Sequence, residues 1–159
     1  MTLAIDKMTI NRINARDRRK AAIHEAGHMV VASALGYYPR GWIFENEHVS
    51  DPLDQKMWGG RTTIRGLVDL DDRKLIGVAG FVAETIWDCV EDVDLGDMLA
   101  WDQNMMSSSD WQMCGAEPGE CKEDIEESAK KAHALLAGQH RKHLFRIARE
   151  LIVDARAAV

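Results

Sequence analysis

His24-Glu25-Ala26-Gly27-His28 sets two imidazoles four residues apart with a carboxylate between them. On a helix, residues i and i+4 lie one above the other on the same face. Two neutral imidazoles so placed can bind one metal ion, and the Glu between them can reach a water beside it. That is a zinc hydrolase arrangement. It makes Zn2+ the expected cofactor, His24 and His28 expected ligands and Glu25 the expected base. The bland alternative is a helix with one buried His and an ordinary surface Glu-His pair. The setting argues against it, because three ionisable groups amid apolar neighbours are costly without partners.

Zinc needs a third protein ligand and an open position. A metzincin would place a third His at position 34, which is Ala34. Two downstream acids have suitable chemistry. Glu84 lies on an apolar helix with Asp88 one turn later, and resembles the helical Glu ligand of thermolysin-like enzymes. Asp110 follows Ser107-Ser108-Ser109, where it equally reads as a helix-capping acid. Spacing does not decide between Glu84 and Asp110.

The elements that must position these groups are legible in part. Residues 1–10 read as a loose leader, and a helix is expected from about Asn14. Its apolar residues include Ala22, Ile23, Ala26, Val30 and Val31, and Gly36 and Pro39 mark its end. Gly41 to Glu47 and Gly59 to Arg65 read as two strands, the second through its β-branched Thr62, Thr63 and Ile64. Two short strands are marginal alone and must pack on helices. Asp71 and Asp72 open a second helix that is apolar almost all round from Leu75 to Val90. Its Gly77, Ala79, Gly80 and Ala83 would let another helix approach closely. Residues 92–107 suggest loop mixed with short helix. The run from Ser107 starts a helix, another follows Pro118 and Gly119 and reaches about Ala137, and residues 139–157 form a last amphipathic one. The expected class is mainly α with a small β-sheet (α+β), in a single domain over residues 1–159.

Composition bounds the function. With 159 residues, 46% apolar and 29% charged, the chain can build a real core without a metal or disulfide. A net charge of −6 argues against nucleic acid as a partner. The basic cluster Arg16, Arg18, Arg19 and Lys20 reads as the wet face of the first helix. Cys89, Cys114 and Cys121 form no even framework and read as reduced thiols of a cytoplasmic protein. No apolar run approaches the ~18 residues of a membrane span. His48 reads as solvated, and His140 and His143 as an exposed basic turn rather than a chelate. Trp111, next to Asp110, is expected to wall the site.

Five segments in one order resemble the peptidase domain of FtsH-type ATP-dependent zinc metalloproteases. AAIHEAGHMVVASALG is similar to that family's HEAGH helix and GGRTTIRG to its strand beside the active site. GVAGFVAETI resembles its small-residue GGRAAEE helix, and SSSDWQMCG the segment supplying an aspartate ligand. SAKKAHALLAGQHRKHLFRIAREL is similar to its C-terminal helical pair. The resemblance implies a helical zincin-like fold, His24, His28 and Asp110 as zinc ligands, and Glu25 as base. It places Glu84 behind a ligand histidine, where it would fix the tautomer. There are departures: Phe81 stands for the Arg of GGRAAEE and Thr85 for its second Glu, and the interval from Glu84 to Asp110 is longer. The family's ATPase module and membrane segments have no counterpart in these residues.

The expected function is therefore a stand-alone zinc endopeptidase acting on unfolded or short polypeptides. Gly60, Arg61 and Thr62 would form a strand that pairs with extended substrate. The glycines of that segment fit either close substrate approach or a plain hairpin turn. Two alternatives remain: a peptidase subunit serving a separate ATPase, with a homo-oligomeric ring possible by analogy, and a zinc-stabilised, non-catalytic protein-binding domain. Retention of Glu25 favours catalysis.

Overall fold

The computed structural model describes residues 6–90 and 94–157. Among the described residues, six α-helices and one two-stranded antiparallel sheet follow in the order α1 (Lys7–Ala34), β1 (Pro39–Glu45), β2 (Trp58–Ile64), α2 (Leu70–Trp87), α3 (Leu95–Trp101), α4 (Ser108–Met113), α5 (Glu123–Ala137) and α6 (Arg141–Ala157). A single 3-10 turn, Gln103–Met105, separates α3 from α4. The chain is thus mainly helical with a small sheet. Among the described residues no helix is long and apolar enough to cross a membrane.

α1 starts at Lys7, well before Asn14 and inside the stretch read as a leader; residues 1–5 lie outside the described residues. The cause is local. The Asp6 carboxylate accepts hydrogen bonds from the backbone N–H groups of Met8 and Thr9, both at 2.9 Å, satisfying donors a helix start leaves free. The helix ends at Ala34, and Gly36 just beyond it has a φ of +90°, a conformation that glycine adopts without strain.

α2 lies at the centre, packed against α1, α4 and α5, with Ile76 to Ala83 and Thr85 to Ile86 buried. Its small residues set the approach of its neighbours. A methyl group on Gly27 of α1 would overlap the Ala79 carbonyl and lie 2.7 Å from the Ala83 Cβ. One on Gly77 would lie 2.6 Å from the Cys114 sulfur beyond the end of α4. α6 packs on the other side of α1, burying Leu144, Ala148 and Leu151.

The sheet lies against α1. Its register pairs Ile43 with Gly60 and Gly41 with Thr62. Along β2, Gly60, Thr62 and Ile64 are part-buried while Arg61 and Thr63 are exposed, the alternation of a strand with one face covered. The strand's start is pinned to α1 at two points. The Met57 N–H donates to the buried Asp17 carboxylate at 2.9 Å, and the Trp58 indole N–H donates to Asn14 Oδ1 at 3.2 Å. Asp17 is also gripped by the Arg16 guanidinium at 2.9 and 3.1 Å. The basic cluster is not uniformly wet: Arg18 sits over the Trp58 ring and Lys20 pairs with Asp88 at 2.9 Å.

Helix propensity alone would make Gly27→Ala stabilising by about 1 kcal/mol. The overlap with α2 reverses the sign, so denaturant unfolding should show a net loss of about 1–3 kcal/mol. Ser33→Ala, on the exposed part of α1, should stay within about 0.5 kcal/mol of wild type.

Candidate metal centre

His24 and His28 project from the middle of α1 toward α2 and α4. Each ring has one nitrogen tied behind it. His28 Nδ1 lies 2.7 Å from the Ile76 carbonyl oxygen, an acceptor only, so this nitrogen carries the proton and donates it. His24 Nδ1 likewise donates to Glu84 Oε1 at 2.7 Å. In the neutral rings both Nε2 atoms therefore present lone pairs forward.

These lone pairs converge. The two Nε2 atoms are 3.1 Å apart. Asp110 completes the group, with Oδ2 3.2 Å from His24 Nε2 and Oδ1 3.3 Å from His28 Nε2. Two imidazole nitrogens and a carboxylate face one another, a set of groups that a metal ion or a proton can bridge. Their separations match the edge of about 3.3 Å expected between ligands of a tetrahedral zinc site with bonds near ~2.0 Å. Asp110 and His28 are buried and His24 nearly so, which makes an uncompensated cluster more costly still. Glu84 faces the opposite ring nitrogen of His24, so the geometry brings Asp110 rather than Glu84 to the Nε2 atoms. Asp88 is turned away, toward Lys20.

Without a metal, a proton takes the cation's part. Burial would lower the His24 pKa, but hydrogen bonds to Asp110 and then Glu84 outweigh it and raise the value to about 10. Burial likewise would raise the Asp110 carboxyl, yet the bonds from His24 and His28 hold it far below the ordinary carboxylate range. Glu84 is lowered through His24 against the same opposing effect of burial.

Asp110 is both cluster member and helix cap. Its backbone N–H donates to Ser107 Oγ at 3.2 Å, and Ser107 N–H donates back to its Oδ2 at 3.4 Å. This capping box starts a helix of only six residues, which needs tertiary support. Trp111 supplies it. The side chain is fully buried and its indole N–H donates to the Gln103 carbonyl at 2.9 Å. Trp111 thus anchors α4 from beneath and is not part of the cavity lining expected for it.

Glu25 is buried on α1, facing β2. Thr62 Oγ1 donates to its Oε2 at 2.6 Å. A methyl group on Gly60 would lie 2.7 Å from Glu25 Oε1, so only glycine leaves room for this carboxylate. Gly59 and Gly60 are inside β2 and make no hairpin turn; Arg61 points to the exposed face of the strand. The cavity at the site has a volume of about 390 Å³. Its floor carries His24, Glu25, His28 and Asp110, with Trp58 and Met105 at its sides.

Gly80 and the Ile76 carbonyl belong to the site without any mark in the sequence pattern that assigns them to it. A methyl on Gly80 would lie 2.5 Å from His24 Nε2 and 2.6 Å from His28 Nε2, where the lone pairs converge. The small-residue pattern marked this position as a helix contact, but which side chains it admits is a tertiary fact. Among the described residues no other histidine or cysteine joins this group. His48 is exposed, His140 and His143 lie 6.5 Å apart by ring centroids at the start of α6, and the three cysteines are unpaired.

No family model matches the chain, and no curated protein matches it.

Asp110→Ala should leave no stoichiometric zinc after dialysis, measured by atomic emission. Glu84→Ala should weaken zinc affinity by about 10–100-fold while retaining the site. The reverse order would exchange their roles. Gly80→Ala should also lose zinc, with helical circular dichroism unchanged.

Proposed function

We propose that this chain is a zinc-dependent endopeptidase of helical zincin-like, FtsH-peptidase type, acting on unfolded or short polypeptides. The observation that carries the reading is the convergence of His24 Nε2, His28 Nε2 and the Asp110 carboxylate beside a buried Glu25. His24, His28 and Asp110 would hold the zinc. The ion, when bound, supplies Lewis acidity, which makes water acidic near neutral pH and draws charge from a carbonyl oxygen.

The remaining work falls to the chain's own groups. Glu84 and the Ile76 carbonyl keep each imidazole in the tautomer that faces the cavity. Glu25 takes a proton from the attacking water and returns it to the leaving amine nitrogen. β2 borders the cavity and, among the described residues, pairs with β1 alone, so its other edge would offer main-chain groups to an extended polypeptide. That mode needs little side-chain selectivity, which suits a substrate defined by being unfolded.

Glu25→Gln should keep the fold and bound zinc and lower cleavage of an unstructured protein by about 10²–10⁴-fold. Chelator should abolish wild-type cleavage, and zinc should restore it. Zinc-loaded wild type that cleaves no better than Glu25→Gln would instead mark a zinc-stabilised binding domain.

A further inference from the structure

Glu25 has two carboxylate oxygens in unlike surroundings. Oε2 accepts the Thr62 hydroxyl at 2.6 Å, a short bond to a charged acceptor. No hydrogen bond among the described residues takes up Oε1, and Glu25 lines the cavity. Gly60 lets the carboxylate lie against the strand backbone, since a methyl group there would come within 2.7 Å of Oε1. Thr62 sits on the inward face of β2, two residues after Gly60, so the two act on Glu25 from one face of one strand. The strand in turn is fastened to α1 through Asp17 and Asn14.

We propose that Thr62 is a positioning residue that ties Glu25 Oε2 to β2 and leaves Oε1 as the single oxygen presented to the reacting water. A carboxylate free to rotate would spend its time among several orientations. One held by a strand hydroxyl stays within reach of the same point, which is what proton transfer in a fixed geometry requires. The same contact links the base to the strand on which substrate would lie, so order in β2 becomes order in Glu25. The catalytic consequence rests on the peptidase reading; the contact itself does not.

Two variants separate the hydroxyl from the shape. Thr62→Val keeps the volume and the strand preference and removes the donor, whereas Thr62→Ser keeps the donor. In metal-free protein, the carboxylate infrared band assigned to Glu25 by difference against Glu25→Gln should shift in Thr62→Val and return in Thr62→Ser. In zinc-loaded protein, Thr62→Val should lower kcat about 10–100-fold with KM within about twofold, and Thr62→Ser should recover most of it. Zinc content should match wild type in both. An unmoved band in Thr62→Val, or undiminished kcat where wild type cleaves, overturns the proposal and leaves the peptidase reading standing. A shifted band in a protein that never cleaves supports the contact and removes the peptidase reading.

Discussion

Two imidazole nitrogens facing each other at 3.1 Å, with a carboxylate closing the triangle, form the constraint around which this molecule is arranged. Acceptors that close repel unless a positive charge lies among them. Placing them in a buried region raises that cost, because water cannot screen the lone pairs. Every element near the centre bears on this arrangement. α1 fixes the two rings, α2 supplies the groups that lock their tautomers, and α4 exists as a capped turn whose acid completes the set.

The glycines show how close that assembly is. Gly27 brings α1 onto α2, Gly77 brings α4 onto α2, and Gly80 leaves the space into which both rings point. Gly60 does the same for Glu25 from the side of the sheet. Packing and chemistry are therefore not separable here. The same small residues that permit helix contact also create the volume in which ionisable groups meet, and Asp110 serves at once as helix cap and as cluster member.

Much of this was legible in the chain. The spacing of His24 and His28 fixed their common face, and the β-branched run Thr62-Thr63-Ile64 announced β2. The apolar continuity of Leu75 to Ile86 announced the central helix. Other features depend on contacts distant in sequence. Glu84 and Asp110 are both acids on helices, and only the fold shows that one faces Nδ1 and the other Nε2 of His24. Gly60 looked as suited to a turn as to a strand, because its partner is a side chain 35 positions earlier. α1 starts earlier than its apolar pattern predicts, since Asp6 is one acid among many until its hydrogen bonds are seen. Trp111 stands beside Asp110 in sequence, yet its side chain is fully buried, bonded to the Gln103 carbonyl and outside the cavity lining.

X-ray absorption at the zinc edge of the loaded protein tests the central claim most directly. Two imidazoles and a carboxylate predict a shell of nitrogen and oxygen near ~2.0–2.1 Å with the outer scattering of two rings. A sulfur shell near ~2.3 Å, or zinc bound without imidazole scattering, would contradict the account.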